Sequence, residues 1–226
     1  MFDTNQRIAS ELEYPSAKVT AIPKPAGRRV LTVHNGSFSI ALKPMQQQLL
    51  DAWKCTKYGT MHEHLQSQMN KIASNTPTHW KNCSIDYDRA TDQVKIKSTI
   101  AALTGAEMSS NHALAVKSFV DLRLQYPDAR KDPKLKGILP FLRGEIPRFS
   151  EIFESGRTFI AKSGQPMGHV LSFPLLCVIN LSCFRASILE WQHERPTERH
   201  KDARVLWNNV AINGDADFHL VHRVTC

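Results

Sequence analysis

The pair Asn213-Gly214 constrains this chain most sharply, because it forces a reversal at a known point. Apolar residues run up to it through Ile212, and a second strand is predicted to begin at Phe218. Asn-Gly between two such runs is a hairpin signal, since both residues tolerate the positive φ of a tight turn. Asp215 and Asp217 sit at that turn. Carboxylates at a hairpin tip suit a hard divalent cation, which prefers oxygen ligands. The same residues also suit a plain solvated hairpin. The segment therefore gains weight only beside a second carboxylate cluster and a phosphate grip.

A second acidic cluster lies at Ser84-Ile85-Asp86-Tyr87-Asp88-Arg89-Ala90-Thr91-Asp92. A strand ending near Tyr87 would carry Asp86 at its carboxyl end, and a helix is predicted over Ser98–Leu103. Asp92 then falls near a helix start, where it could join Asp86 in one site or serve only as a cap.

A phosphate grip has two candidates. Lys18–Pro23 and Arg28–Val33 read as two strands around a Pro-Ala-Gly turn, a hairpin bearing Lys18, Lys24, Arg28 and Arg29. Arginine there can pair bidentately with phosphate, while charge on an edge strand also serves to block strand addition. Farther on, the glycine-rich run Ser163-Gly164-Gln165-Pro166-Met167-Gly168-His169 opens directly into an apolar helix that carries Ser172 and Asn180. Glycines permit close backbone approach, and a helix N-terminus favours anions. The run fits neither a Walker A loop nor a dinucleotide fingerprint.

The remaining pattern is mostly core. Leu42, Met45, Leu49 and Trp53 recur at helical spacing, as do Ala113, Val116, Val120 and Leu124. Residues 1–16 read as a loose lead-in, 126–148 as a proline-rich basic connector, and 190–202 as a polar loop. His62 and His64 have no third partner in the pattern, and His193 and His200 read as exposed.

Charge bears on the partner. Net charge is +8 with a pI of about 9.4, which favours a polyanion, nucleic acid before membrane. The five cysteines are scattered and odd in number, with no CxxC pair, so reduced thiols in the cytosol are expected. The N-terminus lacks the apolar stretch of a signal peptide. The apolar run Val170–Phe184 is interrupted by Ser172, Pro174, Asn180 and Ser182, so no membrane segment is expected.

In order, these signals resemble the fingers and palm of viral RNA-directed RNA polymerases of the ourmiavirus-like (botourmiavirus), narnavirus and levivirus group. PAGRRVLTVHNGSFSIALKPMQ resembles the basic fingers motif, SIDYDRATD the first palm motif, and INGDAD the metal motif. SGQPMGHVLSFPLLCVINL is the most specific match, and the resemblance runs from about Ala17 to Phe218. Two departures stand out. Ile85 stands where the family has Gly, and Ala216 follows Asp215 where the family has a second Asp. Either Ala216 is an insertion that carries the second carboxylate to Asp217, or the second Asp is lost.

The resemblance implies an α+β fold, a small antiparallel palm sheet backed by helices, with fingers elements and no thumb. It divides the chain into a lead-in (1–16), fingers with the basic hairpin (17–80), a first palm segment (81–110), a fingers insertion and connector (111–160) and a second palm segment (161–226). It implies nucleotidyl transfer from NTPs. The primer 3′-oxygen forms a bond to the α-phosphorus as the bond to pyrophosphate breaks. Mg²⁺, with Mn²⁺ as substitute, would be held by Asp86 and Asp215, with Asp217 as a third catalytic carboxylate. Lys24, Arg28 and Arg29 would hold the triphosphate. Asp92, with Asn180 or Ser172, would read the ribose 2′-hydroxyl, and Gly164 and Gly168 would admit the template–product backbone. The implied partners are RNA template and product, NTPs, and a second polypeptide supplying the thumb and later palm motifs; the implied setting is the host cytoplasm. A fragment or truncated copy is expected, and a catalytically inactive, RNA-binding remnant or one part of a split polymerase is the alternative.

Overall fold

The computed structural model describes residues 2–24, 27–61, 64–77, 80–87, 90–106, 111–126, 158–161, 164–194, 196–214 and 216–222. For some of these, including Lys24, Arg28, Arg29, Asp86, Asp92 and Asp217, it describes the backbone alone. Two compact units emerge: Met1–Met45 with Thr91–Ser172, and Gln46–Ala90 with Phe173–Cys226.

The first unit is built on a four-stranded mixed sheet. Helix α1 (Phe2–Glu11) leads into strands β1 (Ser16–Lys24) and β2 (Gly27–His34), the expected basic hairpin. Their register runs from Ala17 opposite His34 to Lys24 opposite Gly27. Helix α2 (Gly36–Lys54) follows at once, its first turn capped by the Asn35 side chain accepting from the Ser37 N–H at 2.9 Å. The short helix α4 (Ala90–Gln93), then α5 (Ile96–Gly105) and α6 (His112–Val120), lead to strand β4 (Arg123–Gln125) and later β5 (Thr158–Ile160). Strand order is β2-β1-β4-β5, with β4 parallel to β1. Ala17, Leu122 and Ala161 form one buried cluster here, and Phe38, Leu42, Leu103 and Phe119 are also buried.

The segment expected to be a loose lead-in is a helix with anchors. Gln6 Nε2 donates to Asn111 Oδ1 at 2.8 Å, Lys117 Nζ donates to the Leu12 carbonyl at 2.6 Å, and Ala9 is fully buried. These partners lie about a hundred positions away, beyond what local pattern can reveal. Likewise α6 stops at Val120, and Leu124 continues as β4 rather than as helix.

The second unit holds a three-stranded antiparallel sheet in the order β3-β7-β6, where β3 is Trp80–Asp86, β6 is Val210–Asn213 and β7 is Ala216–His222. Helix α3 (Leu65–Ser74) and the long helices α7 (Ser172–Glu194) and α8 (Pro196–Asn208) accompany it. Strand β6 is buried on both faces. Val210 and Ile212 pack with Cys177 and Trp53, whereas Ala211 packs with Ile72 and Trp80. Its outer edge is met as well: the Ile212 N–H donates to the Tyr58 carbonyl at 2.8 Å beside a bridge from Gly59. A Cβ at Gly59 would lie 2.9 Å from both the Trp53 indole nitrogen and its carbonyl, which explains glycine there.

Residues 190–202, expected to loop out, are helical where described. Helix α7 continues to Glu194, and α8 begins with Pro196, whose fixed φ suits a first turn. Their polarity hid them: among the described side chains of α8, Ala203 is buried, Val205 and Leu206 pack against a core cluster and Trp207 meets Phe184. Helix α7 spans 23 residues with a mean hydropathy of 1.6 over its most apolar window, enough by length and composition to cross a membrane. Yet Leu175, Leu176, Cys177 and Ile188 are buried in the protein itself, so its apolarity has a core role.

Ile212→Ala should destabilise the fold by about 2–5 kcal/mol, since it opens a cavity in a layer packed on both sides. The urea midpoint should fall accordingly, whereas Val33→Ala, at a position 57% exposed, should change stability by about 0.5 kcal/mol or less.

Candidate active site

The acidic turn belongs to the second unit. Backbone register places Asp86, the last residue of β3, opposite Ala216, and Ala216 opposite Asn213. Asp217 instead pairs with Ile85 and Ile212. Alternation along a strand therefore groups position 217 with Ile212, which is fully buried, and leaves it one residue out of step with Asp86. Asp215 lies outside the described residues, but its neighbours Gly214 and Ala216 fix where the turn is. Asp86 thus ends its strand opposite Ala216, the residue after Asp215 in the chain.

The turn is not a free hairpin tip. Gly214 is buried and has φ +70°, the left-handed region that glycine enters without penalty. Its N–H donates to Cys177 Sγ at 3.2 Å, and its carbonyl accepts from Asn180 Nδ2 at 3.1 Å. Asn180 is 6% exposed, so its amide is committed to the turn's backbone. The ring of Phe173 would lie 3.3 Å from a Cβ at Gly214.

The glycine-rich turn belongs to the first unit and is docked mainly through its backbone. The Gly164 N–H donates to the Val94 carbonyl at 2.7 Å, and the Gln165 N–H donates to the carbonyl of Thr91, so the segment around Asp92 lies against this turn. Gln165 is fully buried, its Nε2 donating to Thr99 Oγ1 at 3.0 Å. The Met167 carbonyl accepts from Thr32 twice, from N–H at 2.7 Å and from Oγ1 at 2.9 Å. Gly168 has φ +113°, and a Cβ there would overlap the Thr32 carbonyl, so no other residue fits. Ser172 Oγ closes the turn by donating to the Pro166 carbonyl at 3.1 Å. Strand β2, which carries Arg28 and Arg29 on its backbone, is thereby tied at Thr32 to the turn that carries Gly164 and Gly168. Lys24 stands at the end of β1, opposite Gly27.

A buried histidine pair completes this docking. His169 Nδ1 accepts from the Leu171 N–H at 3.1 Å, so Nε2 carries the proton and donates to Ser118 Oγ at 2.9 Å. The Ser118 hydroxyl in turn donates to the Ala115 carbonyl at 2.6 Å. His34 Nε2 lies 3.2 Å from Thr32 Oγ1, whose proton goes to Met167, so His34 is the donor. The two rings meet edge to face at 4.7 Å. Burial holds His169 well below the ordinary histidine pKa, with His34 adding to the effect, and burial pushes His34 down to about 4.

Asp86 and Asp215 offer the oxygen donors that a hard cation such as Mg²⁺ prefers. Backbone register puts Asp86 opposite Ala216, the residue that follows Asp215 in the chain. Among the described residues there is no group of three His, Cys, Asp or Glu suited to a metal.

Sequence reasoning missed Cys177, Thr32, His34 and His169. The i, i+3 spacing of Cys177 and Asn180 was a visible signal. The other three act through contacts between distant segments.

No protein-family model and no curated protein matches the chain. Solved structures do. A telomerase from Candida albicans, in complex with the TWJ fragment of telomeric RNA, aligns with TM-score 0.55 and 12% identity, over 99% of this chain and 38% of that one. Apo telomerase from Candida tropicalis, truncated from its C-terminal domain, aligns with TM-score 0.54 and 12% identity, over 99% of this chain and 48% of that one. This chain thus spans less than half the length of either. The likeness is one of fold: an α+β architecture shared with these two telomerase structures.

Because unfolded histidine binds its proton near pH 6.5 and His34 only near 4, the unfolded chain takes up the extra proton as pH falls between them. The His34 contribution to stability is thus intact above about pH 6.5 and lost toward pH 4, about 3 kcal/mol over the full window. Urea midpoints measured from pH 7.5 to 4 should fall, and His34→Gln should fall less steeply.

Proposed function

We propose that this chain carries the fingers and palm of an RNA-directed RNA polymerase related to the ourmiavirus-like, narnavirus and levivirus group. It would join nucleotides from NTPs on an RNA template, in the host cytoplasm. The observation that supports this reading is the register of β3, β7 and β6, which sets Asp86 opposite Ala216 at the turn after Gly214, in a fold similar to that of two telomerase structures. The net charge of +8 suits a nucleic-acid partner, and the telomerase of Candida albicans is itself seen with RNA.

When bound, Mg²⁺ or Mn²⁺ would activate the attacking hydroxyl and neutralise charge on the phosphates. Asp86 and Asp215 would hold it, and Asp217, out of step with Asp86, supports that role less well. Arg28, Arg29 and Lys24 at the hairpin would hold the triphosphate. Asp92, beside the glycine-rich turn, would face the sugar with Ser172; the amide of Asn180 is engaged with Gly214, which favours a positioning role for it.

Primer extension on an RNA template with NTPs and Mg²⁺ tests this reading. Asp86→Asn and Asp215→Asn should each lower extension by more than about 100-fold, beyond what loss of an outer hydrogen-bond partner costs. Equal extension by wild type and both variants would remove the metal assignment. Incorporation of dNTPs in preference to NTPs would instead favour reverse transcription.

One observation favours a second reading. The position opposite Asp86 is Ala216, which has no carboxylate. A non-catalytic RNA-binding role follows if the wild-type chain binds RNA, with affinity falling steeply as salt rises, and extends no primer.

A further inference from the structure

We infer that one stripe of helix α7, made of Phe173, Cys177 and Asn180, positions the acidic turn, and that Cys177 tunes the turn for cation binding. The inference rests on the proposed cation site at Asp86 and Asp215 and assigns the residues that set its geometry.

The three residues stand at i, i+4 and i+7, so they line one face of the helix. All three meet the same glycine. Cys177 takes the Gly214 N–H at 3.2 Å, Asn180 gives a proton to the Gly214 carbonyl at 3.1 Å, and the Phe173 ring closes the side where a Cβ would be. Each peptide unit is planar, so holding the Gly214 N–H fixes the plane shared with Asn213. Holding the Gly214 carbonyl fixes the peptide plane that follows it. Together the two bonds set φ and ψ of Gly214, and with them the direction in which the chain leaves it.

Cys177 carries the heavier consequence. It is fully buried and sits in the cluster with Trp53, Val210 and Ile212, so its sulfur cannot move without moving the core. A thiol is a weak acceptor, yet a buried N–H needs some partner. Alanine would leave this N–H unpaired and free the plane before Gly214 to rotate. Serine would keep an acceptor on a shorter bond. Cys177 and Asn180 therefore act on the cation through the backbone, as outer partners do, and not as ligands.

The full chain decides this by two measurements that do not depend on activity: hydrogen exchange of the Gly214 amide, and Mn²⁺ affinity by electron paramagnetic resonance. In the wild type the Gly214 amide should be protected. Cys177→Ala should lose that protection and weaken Mn²⁺ binding about 10–100-fold, while Cys177→Ser keeps most of both. Asn180→Ala should weaken Mn²⁺ binding from the carbonyl side, and decides the matter should Cys177→Ala not fold. Cys183→Ala, an exposed cysteine on the same helix, should change neither. Unchanged Mn²⁺ affinity in folded Cys177→Ala and Asn180→Ala would overturn the inference. Equal weakening by Cys183→Ala would also overturn it. A wild-type chain that binds no Mn²⁺ overturns the proposed cation site, and a Gly214 amide protected in the wild type and not in Cys177→Ala would then still support the clamp.

Discussion

The hold of helix α7 on Gly214 is the contact on which the candidate site depends. A two-residue hairpin loop normally projects into water, where its polar groups are solvated and its conformation is one of several. Here the loop's glycine is buried, and its N–H and carbonyl go to two side chains of one helix. The bond to the Asn180 amide contributes only about 1 kcal/mol in net terms, and the bond to sulfur, a weak acceptor, less. Their larger effect is to exclude alternatives, because either group left unpaired in this interior would cost more than the bond supplies. Strand β6 reinforces the arrangement, since Val210 and Ile212 sit in the same cluster as Cys177. The turn, the helix and the sheet therefore stabilise one another.

The glycine-rich turn of the first unit uses the same physical device by another route. Its Met167 carbonyl takes both donors of Thr32, and Gly168 lets the two backbones meet at a distance no Cβ permits. His169 then fills the space behind it as a neutral ring whose two nitrogens both have partners. Burial disfavours the charged ring and His34 beside it adds to the effect, which together hold its pKa low. Both turns are thus held through buried backbone and near-neutral side chains, a way of fixing loops that screening by salt does not weaken.

Much of this was legible in the chain. The basic hairpin, the strand ending at Asp86 and the helix after the glycine-rich run fall where local pattern puts them; the reversal comes one residue later than the Asn213-Gly214 pair, since Asn213 still belongs to β6 and β7 begins at Ala216 rather than Phe218. Each is set by short-range chemistry: alternation, helical spacing, or a residue that tolerates positive φ. What was not legible depends on distant partners. Helix α1 is polar enough to look unstructured until Asn111 and Lys117 are seen to bind it. Helix α8 shows its core contacts, at Ala203, Val205, Leu206 and Trp207, only in its second half among the described side chains. Cys177 looked like one more apolar residue of a core helix, and only the fold brings it to Gly214. Asn180, expected as an alternative to Ser172 at the sugar, bonds to the Gly214 carbonyl. The register also bears on Ala216, which takes the place opposite Asp86, while Asp217 falls one step beyond it.

The most direct test of a cation held between β3 and the Gly214-Asp215 turn is where a bound ion makes itself felt. Mn²⁺ added in substoichiometric amount to the nitrogen-15-labelled chain broadens amide signals according to their distance from it. Signals of Asp86, Gly214 and Ala216 should be lost first, while those at the far end of helix α7, from Trp191 to Glu194, about 20 Å along the helix from Asn180, keep their intensity. Broadening centred elsewhere, or spread evenly over the chain, would contradict the account.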